Sequence, residues 1–118
     1  MKVAVIGTGY VGLVAGACFA DTGNQVICVD NDPKKIEALK RGEIPIYEPG
    51  LEGLVKRNSE EGRLSFTTHT REAVAACEIV FLAVGTPPLP SGEPDLTYLK
   101  AAAEEVALGM TGSRIIVN

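Results

Sequence analysis

A doubly wound α/β fold, a parallel sheet with helices layered on both faces, is predicted by three features of this 118-residue sequence. Short apolar runs of strand length alternate with segments of helical spacing along the whole chain. The first run, Lys2 to Ile6, passes straight into Gly7-Thr8-Gly9-Tyr10-Val11-Gly12. The next, Gln25 to Val29, ends on an acid, Asp30. Strand, glycine turn, helix, strand, acid is the order of a Rossmann-like unit. One domain over residues 1–118 is expected, three-layered α/β/α and truncated after a fifth strand.

A lone G-x-G-x-x-G says little in a chain with 13 glycines. Its place between a strand and a helix supplies the mechanism. Gly7 permits the tight turn out of the strand, Gly9 has no Cβ to hold a pyrophosphate off the backbone, and Gly12 lets the helix lie close to the strand. Tyr10 and Val11 open that helix, and the free N–H groups of its first turn, with the helix dipole, face the phosphates. Asp30 lies eighteen positions after Gly12, close to the ~20 that a dinucleotide site calls for. Its carboxylate can accept from both ribose hydroxyls of an adenosine. Lys35 can swing its ammonium over the same ribose, or stand as a solvated helix-face lysine. Asp30 and Asp32 would repel a 2′-phosphate, so NAD is expected over NADP. The competing reading is a glycine-rich turn that only packs a helix on a sheet.

Composition narrows the class. Hydrophobic residues make up 46% and charged residues 22%, the balance of a folded soluble globule. The net charge of −4, with no basic run, gives neither nucleic acid nor a membrane surface an electrostatic footprint. No apolar run approaches the ~18 residues that span a bilayer, and the N-terminus lacks a signal peptide's basic start. A cytoplasmic location is expected. Cys18, Cys28 and Cys77 form no C-x-x-C pair, which argues against a disulfide framework or a metal site. All three are read as small buried apolar residues.

Along the chain, a helix is predicted from Tyr10 to Thr22 with Val11, Val14, Ala15, Cys18 and Phe19 on its buried face. Gly23 stops it. Asp32 caps a second helix with Pro33 at its first position, and Glu37 and Arg41 form an i,i+4 pair before Gly42. A proline-bearing loop from Glu43 to Gly50 precedes a helix marked by Leu51, Leu54, Val55 and Asn58. Leu64 to Thr67 alternates as a third strand. Thr70 should cap a helix over 71–76, and His69 is read as a surface turn residue rather than a base. Ile79 to Val84, the most continuously apolar run, reads as a central strand covered on both faces. The loop Gly85-Thr86-Pro87-Pro88-Leu89-Pro90-Ser91-Gly92 leaves its carboxyl end, where ligands of such sheets bind, and Thr86 offers a hydroxyl and an N–H there. Asp95 should cap a last helix bearing Leu96, Leu99, Ala102, Ala103 and Val106 on one face. Arg114 to Asn118 forms a fifth strand, thinly covered on one side.

With these residues assembled, the sequence resembles the amino-terminal domain of the UDP-glucose 6-dehydrogenase family, in the wider group with GDP-mannose and UDP-N-acetylmannosamine dehydrogenases. The resemblance rests on Val5 to Leu13, Asp30 to Lys35, Tyr47-Glu48-Pro49-Gly50-Leu51, Val84-Gly85-Thr86-Pro87 and Gly92 to Leu96. It implies an enzyme that oxidises the C6 alcohol of a sugar nucleotide to a carboxylate in two hydride transfers to NAD. A cysteine carries the carbon as thiohemiacetal and then thioester. It also implies that the glycine turn binds pyrophosphate, that Asp30 and Lys35 hold the adenosine ribose, and that Thr86 contacts the cofactor near its nicotinamide half. The family's nucleophilic cysteine, sugar-binding domain and dimer-forming segment lie downstream. The chain is therefore read as part of a longer, homodimeric or larger enzyme, inactive by itself. Two alternatives stay open: another two-domain NAD dehydrogenase, of hydroxyacyl-CoA or 6-phosphogluconate type, and a non-catalytic module that senses NAD.

Overall fold

The computed structural model describes residues 1–118. Ten elements follow in order: β1 (Lys2–Ile6), α1 (Tyr10–Asp21), β2 (Gln25–Val29), α2 (Pro33–Lys40), α3 (Leu51–Glu60), β3 (Leu64–Thr67), α4 (Thr70–Ala76), β4 (Ile79–Leu82), α5 (Thr97–Gly109) and β5 (Ile115–Val117). The strands form one parallel sheet in the order β3-β2-β1-β4-β5. Winding runs outward from β1 through β2 to β3, then restarts on β1's other side with β4. The carboxyl ends of β1 and β4 are thus the topological switch point, where open sheets of this kind bind ligands.

Alternation along each strand divides the core in two. Val3 and Val5 of β1, with Val26, Cys28, Leu64 and Phe66, pack under Leu13, Ala17, Ala20, Ile36, Leu39, Leu51 and Val55 of α1, α2 and α3. Ala4, Ile6, Val29 and Val80 face the other way, against Ala73, Val74 and Val106 of α4 and α5. These are the three expected layers. The sheet's outer strand β5 is exposed, Ile115 at 61%. β4 is covered less than its sequence predicts: Val80 is buried, but Ile79, Phe81 and Leu82 are only half-buried. It also ends at Leu82, two residues early.

Helix α1 turns a different face to the sheet from the one hydrophobic spacing selects. Its buried residues are Gly12, Leu13, Gly16, Ala17 and Ala20, whereas Val11 is 68% exposed and Cys18 is exposed. The reason is distance. A Cβ on Gly16 would stand 2.6 Å from Cys28 Sγ, so only the stripe of smallest residues lets the helix approach this closely. Phe19 still reaches past that stripe to stack on Phe81, centroids 4.8 Å apart.

Cys28 and Cys77 are buried as predicted, and Cys18 is not. Burial pushes the Cys28 thiol up to about 12 and raises that of Cys77, so neither forms the reactive thiolate near neutral pH. One fast thiol per folded chain, Cys18, is expected with a disulfide reagent at pH 7.5, and three after unfolding. Mass spectrometric mapping of rapid label to Cys28 would refute that assignment.

The caps follow the sequence in part. Asp32 accepts from the Lys34 N–H at 3.0 Å, with Pro33 at the first position of α2. Arg41, however, makes its bidentate pair with Glu43 rather than Glu37, Nε to Oε1 at 3.2 Å and Nη2 to Oε2 at 3.1 Å. Thr70 is the first residue of α4 rather than its cap. The exposed His69 holds the cap position without a side-chain bond. Asp95 sits one residue ahead of the cap of α5, accepting at one oxygen from the Thr97 N–H and hydroxyl. The helix starts at Thr97, which leaves Leu96 as its cap; Leu96 and Ala103, both expected on the packed face, are exposed. Asn58 is the buried polar residue of α3; its amide donates to Leu54 O and Asp21 Oδ1 and accepts from Arg63 Nε, which satisfies it fully.

Candidate functional site

Hydrogen bonds between strand ends assemble the site. The Ala83 N–H donates to Ile6 O at 2.8 Å, Gly7 N–H to Val29 O at 2.7 Å, and Asp30 N–H to Thr67 O at 3.2 Å. The carboxyl ends of β4, β1, β2 and β3 are tied in that sequence, and every residue predicted to bind the cofactor, except Lys35, follows directly from one of these ends.

Each glycine of the turn has a separate steric reason. Gly7 has φ +111°, and a Cβ there would lie 2.5 Å from Ala83 O. Gly12 is tightest: its Cβ would fall 1.9 Å from Gly7 O. The turn closes on itself there, so what Gly12 permits is contact with the turn's own backbone as much as with the strand. Gly9 differs from both, since a Cβ would meet nothing within 4 Å and φ is −73°. Nothing inside the fold requires glycine at that position. It is the cap residue of α1 and supplies no side-chain acceptor, and the first turn of the helix holds no acid. The helix therefore presents uncapped N–H groups and its positive end to open space, which suits a phosphate.

Asp30 stands beside the turn. Its Oδ2 accepts from the Thr8 N–H at 3.1 Å and the Thr8 hydroxyl at 2.7 Å, and its Oδ1 from the Asp32 N–H at 3.0 Å. Burial pushes the Asp30 carboxyl upward. The Thr8 hydroxyl, the Asp32 and Thr8 N–H groups and the nearby Lys35 ammonium outweigh it, and the net shift is downward. The acid is ionised at neutral pH. Lys35 is exposed on α2, close enough to be felt by Asp30 without an ion pair.

Tyr10 and Val11 lie exposed at the mouth of the turn, 54% and 68%. The Tyr10 hydroxyl donates to Glu48 Oε2 at 2.9 Å, tying the 43–50 loop to the first residue of α1. That carboxylate raises the Tyr10 pKa. Across the switch point, Ala83 and Val84 press against Gly7, so the loop after β4 starts at the turn as predicted. Beyond it, the chain folds back on itself: Leu89 N–H donates to Glu93 O and Asp95 N–H to Pro87 O, both at 2.7 Å. Thr86 is exposed at the base of this excursion. A cleft of about 550 Å³ between α2, α3 and the edge of β3 contains none of these residues.

Two site residues escape sequence reasoning. Thr8 is hidden at 1% exposure, and a hydroxyl residue between two glycines was its only signal. Glu48 belongs to the Tyr-Glu-Pro-Gly stretch, but nothing in the sequence reveals its partner 38 positions away.

An uncapped helix start over a glycine turn, with an ionised acid at the next strand end, is a site for an adenine dinucleotide, and this is a Rossmann domain built for one. Over residues 1–118 the sequence matches the NAD binding domain of the UDP-glucose/GDP-mannose dehydrogenase family, and the chain belongs to that family. It is 55% identical over 117 residues to the UDP-glucose 6-dehydrogenase TuaD of Bacillus subtilis, covering 99% of this chain and 25% of that protein. A GDP-mannose dehydrogenase from Pseudomonas aeruginosa, solved as a ternary complex, superposes with a TM-score of 0.93 at 36% identity, over 98% of this chain and 27% of that one. A UDP-glucose dehydrogenase from Pyrobaculum islandicum gives 0.87 at 48%, over 91% and 25%. The chain spans about a quarter of the length of the curated relatives it matches. No helix in it is long and apolar enough to cross a membrane.

Proposed function

We propose that this chain is the cofactor-binding part of an enzyme that oxidises UDP-glucose at C6 to UDP-glucuronate with two NAD, and that by itself it binds NAD without turnover. The observation that carries the cofactor half is the contrast at the glycines: Gly7 and Gly12 are demanded by the fold, while Gly9 is demanded by nothing inside it. The UDP-glucose half is supported by the 55% identity to a UDP-glucose 6-dehydrogenase and by Tyr47 to Leu51. Bound at the turn, NAD supplies the hydride acceptor. The residues of this chain bind and orient it: the first-turn N–H groups of α1, with Tyr10 and Val11, at the pyrophosphate, Asp30 and Lys35 at the adenosine ribose, Thr86 toward the nicotinamide half. The sugar nucleotide would be met by other parts of a homodimeric or larger protein. Three unpaired cysteines suit a reducing cytoplasm, and an activated uronic acid suits polysaccharide synthesis. GDP-mannose or UDP-N-acetylmannosamine is the second reading of the substrate, favoured by the close superposition on a GDP-mannose dehydrogenase.

Calorimetric titration tests the cofactor half. Saturable binding of NAD that NADP does not match is expected. Asp30→Asn, which keeps the shape but removes the charge, should weaken NAD by about tenfold and narrow the preference, a charged hydrogen bond being worth about 1.5–3 kcal/mol. Equal affinity for NAD and NADP would refute the role of Asp30. Activity of the full-length protein on UDP-glucose against GDP-mannose and UDP-N-acetylmannosamine decides the sugar.

A further inference from the structure

The Asp30 carboxylate is already largely spoken for before any ribose arrives. A carboxylate offers about four acceptor directions, two on each oxygen. Three are filled from within the chain: both on Oδ2, by the N–H and hydroxyl of Thr8, and one on Oδ1, by the Asp32 N–H. One direction remains, on Oδ1. Thr8 is 1% exposed and Asp30 half-buried, so the threonine lies behind the carboxylate and cannot itself meet a ligand. The turn and the acid are 22 positions apart in sequence; the Gly7 N–H to Val29 O bond ties their backbones, and this pair of bonds ties the turn to the carboxylate itself.

We propose that Thr8 is the positioning residue of ribose recognition: by holding Asp30 Oδ2 with two donors it fixes the carboxylate's rotation and presents Oδ1 alone to one ribose hydroxyl. The sequence suggests that both hydroxyls could be accepted; the geometry makes it a single contact of fixed direction. The ribose hydroxyl nearest the adenine is the one that an acid at this strand end accepts from. With the hydroxyl of Thr8 gone, Oδ2 keeps only the backbone N–H, the carboxylate can rotate, and the directional part of the contact is lost although the charge remains. The proposal rests on Asp30 being the ribose acid.

The test is a cycle between Thr8 and the ribose hydroxyl. Binding of NAD and of its 2′-deoxyadenosine analogue is measured calorimetrically for this chain, for Thr8→Val, which fills the same buried space without a donor, and for Thr8→Ser, which restores the donor. The unsubstituted chain is expected to prefer NAD about tenfold, Thr8→Val no more than about twofold, and Thr8→Ser close to tenfold again. A melting curve accompanies each variant, and Thr8→Ala replaces Thr8→Val if the latter does not fold. A purely structural threonine would weaken both ligands alike and leave the ratio at tenfold, which overturns the proposal. A ratio near one in the unsubstituted chain overturns the assignment of Asp30, and the proposal with it. A folded chain that binds neither ligand refutes the cofactor reading itself, a result distinct from the other two.

Discussion

Gly12→Ala is expected to destabilise the fold by about 3 kcal/mol or more, the upper end of what overpacking costs and a large share of the 5–15 kcal/mol a domain has to lose. The added methyl would lie 1.9 Å from Gly7 O, 2.9 Å from Gly7 C and 3.4 Å from the Ala83 Cβ. The first two are backbone, so no side-chain rotation relieves them. Gly7 cannot retreat, because its N–H is bonded to Val29 O at 2.7 Å and a Cβ-sized displacement on its other side meets Ala83 O. Helix α1 cannot lift away either, because Leu13, Gly16, Ala17 and Ala20 are buried along its whole length and Gly16 already rides against Cys28. The strain falls on the tightest-packed part of the molecule, where interiors have little slack. Equilibrium denaturation in urea measures it. A midpoint for Gly12→Ala equal to that of the unsubstituted chain would show that the turn can relax by a route this geometry does not contain.

The same closeness explains what the sequence could and could not reveal. Central parallel strands announce themselves as apolar runs, so β1, β2 and β4 were legible, and the edge strand β3 by its alternation, as were the glycine turn and Asp30 between them. The orientation of α1 was not. Hydrophobic spacing favours Val11, Val14 and Phe19, but where a helix must lie almost in contact with a sheet the smallest residues win, and Gly12, Gly16, Ala17 and Ala20 carry almost no hydropathy signal. Val11 gains a different meaning by being outside: it stands with Tyr10 at the mouth of the turn. Long-range side-chain partners were equally hidden. Thr8 with Asp30, Tyr10 with Glu48 and Arg71 with Glu105 join residues far apart in the chain, and no local pattern encodes them. Arg41 still bonds through its N–H to Glu37 O, but its guanidinium takes Glu43, a choice between two acids within reach that local spacing does not make.

Gly9→Ala is expected to do the reverse of Gly12→Ala, leaving the fold intact and removing the cofactor. Its φ of −73° and ψ of −166° are open to any residue, no atom lies within 4 Å of the added methyl, and the Leu13 N–H keeps its bond to Gly9 O at 3.0 Å. Alanine there gains about 0.4–1 kcal/mol through the unfolded chain, which is offset by glycine's advantage over alanine at the cap of a helix. Yet that methyl occupies the space through which a pyrophosphate must approach the uncapped N–H groups of α1, whose partial positive charge acts only within the first turn. A loss of at least tenfold in NAD affinity, about 1.4 kcal/mol, is expected with the urea midpoint little changed. Stability and binding then separate within four residues of one motif, Gly12 answering to the fold and Gly9 to the ligand. Undiminished NAD binding by folded Gly9→Ala would mean that the dinucleotide does not pass over this turn, and that Gly7 and Gly12 serve packing alone.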